Sequence, residues 1–103
     1  MSKFTKTDGT QAIWDALSDS AYDNGEPYTL AIEPEIYTED NETFIYLNLV
    51  VIERGTRAIY SHVDGASVEL GRYDDDNDET TSKAYDKAMK EAKEFDLYVT
   101  ELA

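Results

Sequence analysis

The hydrophobic pattern changes period twice along the chain, and each change marks an element. From Thr10 to Tyr22 the apolar residues Ala12, Ile13, Ala16, Leu17 and Ala21 recur at helical spacing, with Trp14 on their border. This predicts an amphipathic helix, opened by an Asp8/Gln11 capping box and closed by Asn24-Gly25. From Tyr28 the period becomes two: Tyr28, Leu30 and Ile32 alternate with Thr29, Ala31 and Glu33, as in a half-buried strand. Pro34 predicts that this strand is an edge or is bent there, and Thr38 to Asn41 reads as a turn.

Thr43 to Glu53 is the strongest strand signal. Ile45, Leu47, Leu49 and Val51 fall on one face, and Phe44, Tyr46, Val50 and Ile52 on the other. A strand apolar on both faces belongs at the centre of a sheet, with helices over at least one side. Gly55 marks a short hairpin turn, Arg57 to Val63 a third strand, Asp64-Gly65 a second turn, and Ser67 to Tyr73 a fourth strand. After the acidic stretch Asp74 to Asp78, a second helix over about Thr80 to Phe95 buries Ala84, Ala88, Ala92 and Phe95. Leu97 and Val99 suggest a last short strand. The expected fold is α+β, one domain over 1–103: an antiparallel β-meander of about four strands with two helices packed on one face. Tyr28, Leu30, Ile32, Ile45, Leu47, Leu49, Val51 and Phe95 are its expected core.

Charge changes the picture more than composition does. Apolar residues make up 41% of the 103, an ordinary share for a globular domain, so the chain is expected to fold despite a formal charge of -14. That charge is segregated. Between Thr7 and Glu53 lie eleven carboxylates and no lysine or arginine, giving -11, whereas residues 54–72 sum to +1. Like charges on a compact body repel and cost stability, so a one-sign field this long points to a basic partner. Nucleic acid and anionic membranes would repel it, and no apolar run is long enough to span a bilayer. With no cysteine and no apolar run behind Lys3 and Lys6, a cytoplasmic protein is the expectation.

The two helices treat charge differently. The second pairs Glu79 with Lys83, Asp86 with Lys90 and Lys90 with Glu94, whereas Asp15, Asp19 and Asp23 repel one another on the first.

Catalytic motifs are absent from the sequence: there is no phosphate loop, nucleophile elbow or zinc signature, and His62, the sole histidine, reads as a partly exposed strand residue. Asp74, Asp75, Asp76 and Asp78 suggest calcium, but an EF-hand begun at Asp74 has Glu79 where it needs glycine and Tyr85 where it needs glutamate. No metal or other cofactor is expected. The candidate partner-binding residues are therefore the carboxylates: Asp15, Asp19, Asp23, Glu26, Glu33, Glu35, Glu39, Asp40 and Glu42 in the base-free region, and Asp74, Asp75, Asp76 and Asp78 in the loop. Of these two clusters the first is favoured, because regular elements hold its spacing fixed while a loop loses freedom on binding. Carboxylates four apart on a helix lie about 6 Å apart along its axis, and two apart on a strand about 6.6 Å. Phosphates along a nucleic acid recur at a similar interval. A high-salt adaptation would avoid lysine, yet six lysines accompany three arginines.

With its small size, lack of cysteine and runs such as Tyr73-Asp74-Asp75-Asp76-Asn77-Asp78-Glu79, the chain resembles the small acidic inhibitors of bacteriophages and mobile elements: DNA mimics, anti-restriction and anti-CRISPR proteins. The resemblance is one of style and carries no residue roles. It implies inhibition without turnover, as monomer or homodimer in the host cytoplasm, by occupying the groove of a basic nucleic-acid-binding protein. Two alternatives stay open: an immunity- or chaperone-type protein neutralising a basic nuclease toxin or effector, and a soluble accessory subunit without mimicry.

Overall fold

The computed structural model describes residues 3–7, 9–19 and 27–100. Seven elements follow in order: β1 (Phe4–Lys6), α1 (Gln11–Asp19), β2 (Tyr28–Glu39), β3 (Glu42–Glu53), β4 (Ile59–Tyr73), α2 (Asp78–Lys93) and β5 (Tyr98–Val99). The strands form one sheet in the order β1-β4-β3-β2-β5. Neighbours are antiparallel except β2 and β5, which run parallel because α2 carries the chain back across the sheet. The α+β class and its two helices stand, but the sheet is five-stranded and mixed, not a four-stranded antiparallel meander.

β3 takes the central place its two apolar faces demand. Ile45, Leu47, Leu49 and Val51 are buried beneath the helices, joined by Leu30 and Ile32 of β2 and Val68 and Leu70 of β4. Ile13 anchors α1 to this face, and Ala84, Ala88, Ala92 and then Phe95 pack the α2 end of the chain against it. Small residues every fourth position let the helix backbone sit close to the strands. Of the expected core only Tyr28 is incompletely buried. On the opposite face Ala31, Val50 and Ile52 form a smaller buried cluster at the β3–β4 end of the sheet.

Two local expectations are corrected, and the edge expected at Pro34 is found without a break in the strand. Asp64-Gly65 does not reverse the chain: the third and fourth strands are the two halves of β4, because both halves pair with β3. His62 lies opposite Val50 and Ser67 opposite Asn48, so Leu49 alone faces Val63 to Ala66. The surplus residues make a wide irregularity, with Gly65 at φ 79°. Pro34 does not interrupt β2, which passes through it opposite Leu47. It falls beyond the last β5 pair, Ile32 with Val99, where β2 is an edge and no ladder position needs its missing N–H. The turn at the β2–β3 tip is shorter than expected, only Asp40 and Asn41, both at positive φ as a two-residue hairpin turn requires.

α2 begins earlier than expected, at Asp78, because Asn77 caps it by accepting the Thr80 N–H at 2.9 Å. Of the expected α2 ion pairs, Glu79 to Lys83 is formed at 3.2 Å, but Asp86 with Lys90 and Lys90 with Glu94 are not; Glu91, outside the expected set, pairs instead with Lys6 of β1 at 3.3 Å. Asp8, Asn24 and Gly25 lie outside the described residues, and Gln11 bonds Asp15 at 2.9 Å. Among the described residues, no strand pairs with residues 59–68 of β4 on the side away from β3.

Candidate functional site

Sheet topology brings together acids that lie far apart in sequence. β2 and β3 end in the tip Glu39-Asp40-Asn41-Glu42, and β4 ends beside them, with Tyr73 opposite Thr43. The chain then enters the Asp74–Asp78 stretch, which Thr43 ties down by donating its hydroxyl to the Asp75 carbonyl at 2.8 Å. Glu39, Asp40, Glu42, Asp74, Asp75, Asp76, Asp78 and Glu79 thus gather at one end of the sheet. Two of them are paired with cationic side chains, Glu42 with Arg72 at 3.5 Å and Glu79 with Lys83. Asp74 receives the Lys3 backbone N–H at 2.8 Å, and the Asp75 carboxylate accepts from the Thr80 hydroxyl. These bonds fix the loop, so it is not the slack segment that its sequence suggested. Glu39, Asp40, Asp76 and Asp78 remain exposed.

The opposite end of the sheet differs in sign. The β3–β4 connection carries Arg54 and Arg57, and Arg54 to Val63 contains no carboxylate at all. Arg57 lies over the Tyr98 ring, 4.6 Å from its centroid.

Between the two ends runs the sheet face that α1 and α2 leave uncovered. Register places Glu35, Tyr46 and Glu69 in one row across β2, β3 and β4, with Tyr37, Phe44 and Arg72 in the next. The Tyr37 ring stacks on Phe44 at 5.2 Å and on Tyr46 at 5.4 Å. Tyr46 donates its hydroxyl to Glu69 at 3.4 Å and shares a 3.2 Å bond with the Tyr37 hydroxyl. The hydrogen bond to Tyr37, followed by burial and the Glu69 charge, pushes the Tyr46 phenol far above its ordinary value. In the row on the other side, buried Asn48 donates to Glu33 at 3.0 Å and to Glu35 at 3.3 Å, and accepts from Ser67. His62 bonds Glu33 at 3.0 Å.

The base-free region is therefore divided. Glu33 and Glu35 lie on the uncovered face. Glu39, Asp40 and Glu42 join the loop acids, and Asp15 sits exposed on α1, a helix packed against the other face. Asp19 ends α1, and Asp23 and Glu26 lie outside the described residues. The two acidic clusters that the sequence sets in competition are, in part, one surface. Sequence reasoning passed over the aromatic row, since alternation gives which residues share a face but not which strand lies beside which.

Among the described residues, no three His, Asp or Glu side chains are grouped to hold a metal ion, and no helix is long and apolar enough to cross a membrane. What the arrangement offers chemically is anionic and hydrogen-bond-accepting surface on a fixed frame. The chain matches no protein-family model, no curated protein and no solved structure.

Proposed function

We propose that this protein is a non-catalytic inhibitor that occupies the nucleic-acid-binding surface of a basic host defence protein, standing in for the phosphates. The observation that carries this reading is the gathering of eight carboxylates from the β2–β3 tip and the 74–79 segment at one end of the sheet. A tight two-residue turn, the Thr43 bond and the Asn77 cap hold that end rigid, so little conformational freedom is lost on binding. The opposite end, where Arg54 and Arg57 outnumber Glu53, gives the molecule an orientation, so a basic groove attracts it acidic end first.

The test is capture of partners from a bacterial lysate at low and high salt, followed by competition with nucleic acid. The expected partner is a basic nucleic-acid-binding protein whose affinity for this one falls at least about tenfold between 50 and 200 mM salt. Reversing Glu39, Asp40 and Asp76 to lysine should abolish capture, while a matching reversal of Asp15 should not. A partner that binds this protein and its DNA or RNA together, without mutual weakening, refutes mimicry. Capture of a nuclease toxin encoded beside the protein would instead support the immunity reading.

A further inference from the structure

The uncovered half of the sheet face, next to the acidic end, has a chemistry that plain phosphate mimicry does not need. A phosphate surrogate needs carboxylates in water, but this face sets its carboxylates around aromatic rings. Glu35 and Glu69 flank Tyr46 in a three-strand row, so their backbones stand two strand spacings apart, about 9.6 Å. Tyr37, 39% exposed, forms a near-parallel stack with Tyr46 and Phe44, at interplanar angles of 12° and 19°. Both carboxylates are held in place: Glu69 accepts from the Tyr46 hydroxyl and Glu35 from the Asn48 amide.

We infer that this face is a docking surface for an arginine-bearing segment of the basic partner, with guanidinium groups lying against the Tyr37–Tyr46 rings and bonding Glu35 and Glu69. The inference rests on the mimicry reading for the partner's charge and adds to it a residue preference and a second contact surface. Charge complementarity selects a cation. The rings then discriminate between cations: a planar, weakly hydrated guanidinium stacks on an aromatic surface and grips a carboxylate with two N–H groups, whereas a compact ammonium keeps its water. The basic side chains already on this side are engaged, Arg72 by Glu42 and His62 by a hydrogen bond with Glu33, so Glu35 and Glu69 face outward without an ionic partner among the described residues.

A second observation lies one row away, beside Glu33. Thr100 follows β5, donates its N–H to Ile32 at 2.9 Å, and so continues the ladder beside Glu33. It is 8% exposed, and its hydroxyl has no hydrogen-bond partner among the described residues.

The test uses two probes of equal charge, deca-arginine and deca-lysine, titrated into the full chain and followed by amide NMR and calorimetry. The expected result is tighter binding of deca-arginine by about fivefold or more, with shifts at Glu35, Tyr37, Phe44, Tyr46 and Glu69. The double variant Glu35→Gln/Glu69→Gln keeps the Asn48 and Tyr46 hydrogen bonds possible. It should bring the two peptides to equal affinity, with an unchanged thermal melt. Tyr37→Ala should do the same with every charge retained. Equal affinities for the unaltered chain, or shifts confined to residues 39–42 and 74–79, would overturn the arginine face and leave mimicry at the acidic end standing. If neither peptide binds at low salt, both readings fall.

Discussion

Replacing Gly71 with alanine should detach β1 and little else. Gly71 faces Lys6 across the β1–β4 ladder. A Cβ added there would lie 2.5 Å from the Thr5 carbonyl oxygen and 2.5 Å from Phe4 Cζ. The ring could swing aside, but the carbonyl belongs to the paired backbone, so β1 must move away. Released with it are Phe4, half-buried against Tyr73 at 5.1 Å and beneath Lys87, and the bond from the Thr7 N–H to Leu70 at 3.0 Å. Half-burial of a phenylalanine contributes about 1 kcal/mol. Three residues of ladder add a similar net amount once regained chain freedom is subtracted. A loss of about 2 kcal/mol corresponds to a fall in Tm of roughly 8–12 °C for a domain of this size. Gly65→Ala is the informative contrast. Nothing lies within 4 Å of its added Cβ, but φ is 79°, so the cost is backbone strain of about 1 kcal/mol and leaves β1 in place. Thermal melts combined with amide hydrogen exchange distinguish the two. The Gly71 variant should lose protection at Lys6 and Thr7 while β2 and β3 keep theirs. A Gly71 variant that melts within about 2 °C of the parent, or one whose Thr7 amide stays protected, would refute the steric argument.

Two further outcomes follow from the same geometry. Asn77→Ala removes the cap of α2 and should cost about 1 kcal/mol in urea unfolding with an unchanged m-value; Asn77→Asp should restore most of it. The Tyr46 phenol, raised chiefly by its bond to Tyr37, and the Tyr73 phenol, raised chiefly by burial, are both held above the ordinary value of 10.0. Because the folded values exceed the unfolded ones, their contribution is complete below about pH 10 and is lost as pH rises beyond it. Chemical denaturation at pH 9, 10 and 11 should show the decline, and Tyr46→Phe should reduce it; equal stability at all three would contradict the assignment.

Much of the fold was legible because it was written in local period. The two-faced run from Thr43 to Glu53 could only be a central strand, and the alanines of α2 could only lie against a sheet. What misled was the assumption that Asp64-Gly65 marks a reversal. A glycine at positive φ serves a hairpin and a wide irregularity equally well, and the choice between them depends on whether Ser67 to Tyr73 finds its partner on the preceding strand or on β3. That competition is non-local. β1 was missed for a similar reason: Phe4 to Lys6 has no periodicity of its own and becomes a strand only because Gly71 leaves room for it. The candidate site was legible as a list of acids but not as a surface. Strand order alone moves Glu42 beside Asp74 and parts Glu35 from Asp15.

The exposed flank of β4 gives the charge a second meaning. Among the described residues no strand covers positions 59–68, where Ile59 is 39% and Tyr60 65% exposed, and such an edge is a template for another copy of itself. At neutral pH two copies bring together bodies that each carry -14, and their repulsion acts over about 10 Å in 0.1 M salt. Close to the isoelectric point of 4.1 that barrier vanishes while the edge remains. The charge proposed to attract a basic partner therefore also opposes self-association at this edge, and neutralising it with bound partner or with acid carries the same colloidal risk.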